Sequence, residues 1–206
     1  MLLAPGTRYR RLGVPGEEDL IGAGIHFCAT CDGPFYKDQE VVVVGGGNSG
    51  VEEGLFLTKF ASKVTVLEIG DRLRASQVLQ EKLAEHPKMN ARLQTTVQEF
   101  RGDGHLESIV VKDLATGETE ELKPGAAFIF IGLDPNTDFL EGIVDRDRWN
   151  FVTTGQTLES SLPGVFAAGD ARAGSTKQVA SAVGEGATAA LMIRQYLESN
   201  QGNRGY

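Results

Sequence analysis

The chain has 206 residues, 41% hydrophobic and 23% charged, a balance that suits a globular protein and excludes a disordered one. Twenty-eight Asp and Glu against 20 Lys and Arg leave a net charge of −8, which argues against nucleic acid or an anionic membrane surface as the main partner. No apolar run approaches the roughly 18 residues of a membrane span. The N-terminus, with Arg8, Arg10 and Arg11, is too short and basic for a signal-peptide core, and the only cysteines, Cys28 and Cys31, sit too close to staple a secreted fold. These features point to the cytoplasm. Glycine accounts for 26 residues, an excess that fits tight backbone turns around a nucleotide.

Residues 1–24 read as extended chain and turns, with a turn at Val14-Pro15-Gly16. The β-branched run Val41 to Val44, ended by Gly45, predicts a strand buried on both faces. A helix is expected over 48–59, a second strand over 63–68, and a second helix from about Ala75 to His86, stopped before Pro87. Residues 90–122 alternate like a small antiparallel meander, with strands at 91–96, 106–113 and 118–122 and a turn at Thr116-Gly117. Ala126 to Ile131 predicts another buried strand. A loop through Asp134-Pro135-Asn136, a short strand around Phe151, a strand over 165–168 and a long helix from Val179 to Leu197 complete the chain. This order predicts an α/β fold: a three-layer Rossmann-like nucleotide-binding domain with a β-meander insertion.

Three motifs carry chemistry. Gly45, Gly47 and Gly50 form G-x-G-x-x-G between a predicted strand and a predicted helix, with Glu68 ending the next strand 23 residues on. That is the context a dinucleotide fingerprint needs. Gly45 would make the tight turn, Gly47 would admit a pyrophosphate at the helix start beside Asn48 and Ser49, and Gly50 would let helix and strand close up. The competing reading is a glycine-rich turn inside an α/β core. Glu68 can accept both adenosine ribose hydroxyls and would repel a 2′-phosphate, favouring NAD, while Arg72 and Arg74 keep NADP open as phosphate contacts or as a solvated helix entrance.

The second motif is Cys28-Ala29-Thr30-Cys31, followed by Asp32. This spacing serves dithiol–disulfide exchange. Half a zinc site and a pair of inert thiols are the alternatives. Zinc would need two more ligands, and His26, His86 and His105 lack metal-like spacing, so no metal site is expected. Asp32 could relay a proton to or from a thiolate, or be a turn residue before Gly33-Pro34. Third, a predicted strand runs into Gly169-Asp170, where a carboxylate could meet a sugar or ribitol hydroxyl, although Gly-Asp is also a common turn. The small residues from Gly174 to Gly186 permit close approach of a ligand or of a neighbouring helix.

Taken in this order, the motifs resemble the low-molecular-weight thioredoxin reductases of bacteria and plants, almost end to end. The residues that carry the resemblance are His26 to Gly33, Val41 to Leu57 with Val51-Glu52-Glu53, Gly164 to Asp170, and Lys177-Gln178 followed by Val179. The resemblance implies a relay from NAD(P)H through FAD to the cysteine pair and on to thioredoxin. In it Cys31 faces the flavin, Cys28 exchanges with the substrate disulfide, Asp32 is the acid–base group, Asp170 binds the flavin ribitol and Lys177-Gln178 lie beside the isoalloxazine. It also implies rotation of one domain on the other, with hinges near residues 9–12 and 131–134, and a homodimer or a companion flavin-domain chain.

Two departures qualify this. NADP-using members carry a His-Arg-Arg group after the second strand and an Arg four residues on; here Glu68, Ile69 and Gly70 stand in the group and only Arg74 agrees. A relative fed by ferredoxin thus becomes an alternative, as does a non-catalytic nucleotide-binding partner subunit. The family's other G-x-G-x-x-G, on which the FAD adenosine and pyrophosphate sit, has no counterpart here. The expected division is therefore residues 1–11 as a remnant of the FAD domain and a hinge, 12–131 as the pyridine-nucleotide domain with the C-x-x-C, and 132–206 as the C-terminal part of the FAD domain. With one fingerprint instead of two, the purified chain is expected to hold FAD weakly or not at all. A stoichiometric flavin band in its visible spectrum would contradict this.

Overall fold

The computed structural model describes residues 1–202. The chain divides into two compact units, Met1–Arg10 with the segment from Leu133 onward, and Arg11–Gly132. In chain order, β1 (Leu2–Leu3) and β2 (Thr7–Tyr9) belong to the first unit. The second unit then runs β3 (Ile25–His26), α1 (Ala29–Asp32), β4 (Glu40–Val44), α2 (Asn48–Leu57), β5 (Lys63–Leu67), α3 (Gln77–Glu85) and β6 (Met89–Arg92). It continues through β7 (Thr95–Arg101), β8 (Ser108–Asp113), β9 (Thr119–Leu122) and β10 (Ala126–Ile129). β11 (Leu133–Pro135), β12 (Phe166–Ala167) and α4 (Val179–Gly202) return to the first unit.

The heart of the second unit is a five-stranded parallel sheet in the order β3-β10-β4-β5-β6. Successive side chains of a strand point to opposite faces, so a strand covered on both sides must be apolar throughout. β4 obeys this: Val41 and Val43 face a core with Val51, Leu57 and Leu83, while Val42 and Val44 face one with Val97, Phe100 and Ile109. The helices thus cover one face and the antiparallel sheet β7-β8-β9 covers the other. Three layers result, in a mixed α/β fold with a parallel sheet. α3 ends at Glu85, and the extended backbone of His86 then precedes Pro87 as sterics require.

Three expectations need correction. The run 91–96 is not the first strand of the meander. Its start belongs to β6, the fifth strand of the parallel sheet, and the meander opens with β7. Sequence alternation missed β7 because a bulge between Val97 and Glu99 puts Val97 and Phe100, three residues apart, on the same buried face. The loop at 134–136 instead begins with β11, which pairs antiparallel with β2; Arg10 and Asp134 add an ion pair at 2.8 Å. No strand forms around Phe151; Val152 makes only isolated bridges to Arg146 and Arg172.

In the first unit, β1 pairs with β12 in parallel, and the amino terminus donates to the Gly164 carbonyl at 2.7 Å. One small core gathers Leu3, Leu140, Val144, Val152 and Ala167; another gathers Leu158, Phe166, Ala168 and Ala189, with Tyr196 of α4 against them. α4 runs past the expected Leu197 to Gly202. No helix among the described residues is long and apolar enough to cross a membrane.

Candidate functional site

A parallel sheet delivers the carboxyl ends of all its strands to one edge, where ligands of such sheets bind. Here that edge carries Cys28 just after β3, the glycine turn just after β4 and Glu68 just after β5. The second unit therefore gathers two of the three sequence motifs by topology alone.

The glycine turn has three separate steric reasons. Gly45 sits at φ 115°, in the left-handed half of backbone space, and a Cβ there would lie 2.4 Å from the Phe130 carbonyl oxygen. A Cβ on Gly50 would lie 1.8 Å from the Gly45 carbonyl oxygen, so α2 can touch the turn only at a glycine. Around Gly47 nothing lies within 4 Å of a built Cβ. The backbone is open there, at the N-terminus of a ten-residue helix, as a pyrophosphate requires. Asn48 and Ser49 are exposed beside it, and the Asn48 side-chain oxygen accepts the Ser76 N–H at 2.7 Å.

Glu68 is 1% exposed, and each of its carboxylate oxygens is already engaged. Oε2 accepts the Gly46 N–H at 2.8 Å, and Oε1 accepts the Gly70 N–H at 2.9 Å and faces Arg74 at 3.6 Å. The carboxylate thus pins the glycine turn to the following loop, a role the sequence did not reveal. Its free lone pairs still present acceptors and negative charge to a cavity of about 90 Å³ lined by Leu12, Val44, Gly45, Ile69, Thr96 and Val97. Arg74 is mostly exposed and Ile69 stands 61% exposed where a phosphate clamp would need a cation.

Cys28 and Cys31 form a disulfide. Cys28 is extended and half-buried, Cys31 is exposed on the short turn of α1, and the Cys31 N–H donates to Cys28 Sγ at 3.2 Å. That donor would stabilise a Cys28 thiolate once the bridge opens. Behind the pair, Asp32 Oδ2 lies 3.4 Å from His26 Nδ1, and His26 Nε2 lies 2.6 Å from the Tyr36 hydroxyl. The imidazole is wedged between Tyr36 and Phe128, with ring centroids 5.3 and 5.4 Å away. Burial pushes His26 below its ordinary pKa of 6.5, against the pull of Asp32. Burial, and then the Asp32 charge, push Tyr36 above 10.0. Tyr36 escaped the sequence reading, and His26 entered it as a poorly spaced zinc ligand and as the first residue of the resembling redox segment, with no role of its own; its place in a buried strand two residues before Cys28 was the available signal.

In the first unit, Asp170 stands just beyond β12, and its Oδ1 is buried without a hydrogen-bond partner. An orphaned carboxylate oxygen fits a hydroxyl donor such as ribitol. Next to it, the Gly169 N–H and the Arg172 guanidinium both bind Glu185 of α4, the latter as a bidentate pair at 2.6 and 3.1 Å. The Lys177 ammonium donates to the Asp170 and Arg172 carbonyls and lies 4.0 Å from the Phe151 ring centre, and burial lowers its pKa. Gln178 and Val179 are exposed, Val179 at 82%. The Arg172–Glu185 pair had no local sequence signal, because its members are 13 residues apart.

The family model described as pyridine nucleotide-disulphide oxidoreductase matches residues 1–186. A thioredoxin reductase of Peptoclostridium acidaminophilum is 42% identical over 206 residues, covering 97% of this chain and 65% of the relative; that of Bacillus subtilis is 40% identical over 202 residues, covering 98% and 64%. The crystal structure of thioredoxin reductase from Streptococcus pyogenes superposes with a TM-score of 0.90 at 38% identity, covering 96% of this chain and 65% of that one. The chain thus spans about 65% of the length of the relatives it matches.

Two outcomes follow. Gly50→Ala should destabilise the chain by about 1–3 kcal/mol in urea unfolding, whereas Gly47→Ala should stay within about 0.5 kcal/mol of wild type yet weaken dinucleotide binding. For pH, the unfolded chain protonates His26 near 6.5, whereas the folded chain does so only at lower pH. Stability should therefore be full above pH 6.5 and fall as pH drops through the lowered folded value. Urea midpoints from pH 7.5 to 5 check the sign, and His26→Asn should flatten that limb.

Proposed function

The chain belongs to the pyridine nucleotide-disulphide oxidoreductase family, and from that premise we propose that it acts as a thioredoxin-disulfide reductase. The observation that carries the reading is the Cys28–Cys31 disulfide at the same sheet edge as the open glycine turn. Gly45, Gly47, Asn48, Ser49 and Gly50 would hold the nicotinamide dinucleotide, with Glu68 and Arg74 at its adenosine end. The Asp170 carboxylate, together with Gly169, Lys177, Gln178 and Val179, would hold FAD. When bound, the flavin would supply the conversion of a hydride into the two electrons that open a disulfide.

The chain's own residues do the rest. Two electrons break the Cys28–Cys31 bond, and the sulfurs take up protons to become a dithiol. The Cys31 N–H steadies negative charge on Cys28, which attacks a disulfide of thioredoxin; Cys31 then displaces the mixed disulfide and restores the bridge. Asp32, next to Cys31, takes and returns the proton. A cytoplasmic dimer that draws on NADH is the form this reading favours. The preference for NADH rests on charge: a 2′-phosphate would meet buried Glu68 and exposed Ile69 in place of cations.

Calorimetric titration should show NAD binding at least about tenfold tighter than NADP, a difference of 1.4 kcal/mol. Chemically reduced chain should pass its electrons to oxidised thioredoxin, followed by thiol trapping, and Cys28→Ser or Cys31→Ser should each abolish the transfer. Equal binding of NADP would refute the donor assignment, and transfer by either single-cysteine variant would refute the dithiol step.

A further inference from the structure

Next to the Cys28–Cys31 pair runs a partly buried chain of polar groups: Asp32, then His26, then Tyr36. We propose that His26 is a positioning residue for the dithiol reaction, holding the Asp32 carboxylate through Nδ1–H while Tyr36 supports the tautomer that puts the proton there. This rests on the dithiol reading above and extends it to two residues outside the C-x-x-C-D run.

The tautomer follows from which groups can donate. Burial keeps Tyr36 a phenol and His26 a neutral imidazole at neutral pH. A neutral imidazole has one donor and one acceptor nitrogen. Asp32, as a carboxylate, can only accept, so the proton belongs on Nδ1; Nε2 then accepts from the Tyr36 hydroxyl at 2.6 Å. Asp32 selects this tautomer, and the Tyr36 donor stabilises it. If Tyr36 could not donate, Nε2 would be left with an unmet lone pair in a buried site, and the hold on Asp32 would weaken.

The ring itself cannot swing. His26 pairs with Phe128 across β3 and β10, is 8% exposed, and is wedged between the Phe128 and Tyr36 rings, which meet edge to face. Asp32 and Tyr36 are the titratable groups acting on it, and Phe128 covers it from the sheet without charge. Asp32 is held by His26 while its side chain keeps 30% exposure. A carboxylate that is held and still accessible suits a group that must meet a sulfur repeatedly in one orientation.

The step balances as follows. The reduced pair begins as two thiols. Cys28 attacks an external disulfide as Asp32 accepts its proton; the first leaving thiolate takes that proton from Asp32. Cys31 then attacks the mixed disulfide, its proton travelling by the same carboxylate to the second leaving thiolate. The cysteine pair loses two electrons and two protons, and the external disulfide becomes two thiols.

The test uses the whole chain, reduced, with bis(2-hydroxyethyl) disulfide as probe, because its leaving thiolate is basic and needs a proton. In the wild-type background Asp32→Asn should slow exchange by on the order of 100-fold. In a His26→Leu background the same change should cost less than about threefold, since an unheld carboxylate has little left to lose. His26→Asn, whose side-chain N–H can replace Nδ1–H, should restore most of the Asp32 effect, and Tyr36→Phe should reduce it partway. A full Asp32→Asn penalty in both His26→Leu and Tyr36→Phe backgrounds would overturn the proposal while leaving the dithiol reading intact. If His26→Leu fails to fold, the Tyr36→Phe background decides alone. No exchange by the wild-type pair at any pH would overturn the dithiol reading and this proposal together.

Discussion

The contact between α2 and the turn after β4 is the constraint on which the second unit depends. Gly50 lies so close to the Gly45 carbonyl that no side chain fits between them, and that closeness lets the helix lie flat on the sheet. The helix brings Val51 and Leu57 down onto Val41 and Val43, burying one face of β4, while the bulged β7 brings Val97 and Phe100 onto the other. A strand with no wet face cannot slip by one residue without turning apolar side chains onto the wrong core. The register of the whole parallel sheet is fixed this way. Its carboxyl edge, with the glycine turn, Glu68 and the cysteines, inherits that rigidity.

Glu68 shows how structure and specificity can share one group. A fully buried carboxylate is costly unless its charge is met by hydrogen bonds. The Gly46 and Gly70 N–H groups, with Arg74 nearby, meet that need. The residue therefore cannot be exchanged for a cation without unpinning the glycine turn after β4. The negative charge at this edge is thus built into the fold of the loop, and swapping exposed residues around it would leave that charge in place.

What the sequence disclosed, and what it hid, follows from the range of the interactions. Val41 to Val44, the glycine spacing and the C-x-x-C are local signals, so the α/β class, the central strand, both helices and the redox pair could be read directly. β7 was hidden because its bulge breaks the period-2 pattern that defines a strand, and β11 because a three-residue strand carries too little pattern to register. Glu68 was found for its charge at a strand end, but its engagement by Gly46 depends on a turn 22 residues away. Tyr36 and the Arg172–Glu185 pair were invisible for the same reason: their meaning lies in partners that only the folded backbone brings near.

The same reasoning explains why the disulfide belongs at this edge and not on a free loop. β3 is only two residues long, paired to β10 and, through an isolated bridge at Ile25, to Ile21, and such a strand would fray if these pairings alone held it. Ile25 is fully buried and His26 nearly so, and the His26 ring closes against Phe128, the largest fully buried side chain of the central sheet. The chain leaving β3 therefore reaches Cys28 already fixed in direction, and the single turn of α1 returns Cys31 and Asp32 toward it. A helix of four residues has almost no stability of its own. Its ends are held instead by the disulfide and by the bond from Asp32 to His26. When the bridge opens, the first of these is lost. The fully buried Ala29 and the contact of His26 with Asp32 then tie the redox turn to the sheet, so the residue that orients the carboxylate also helps keep the reduced turn in place.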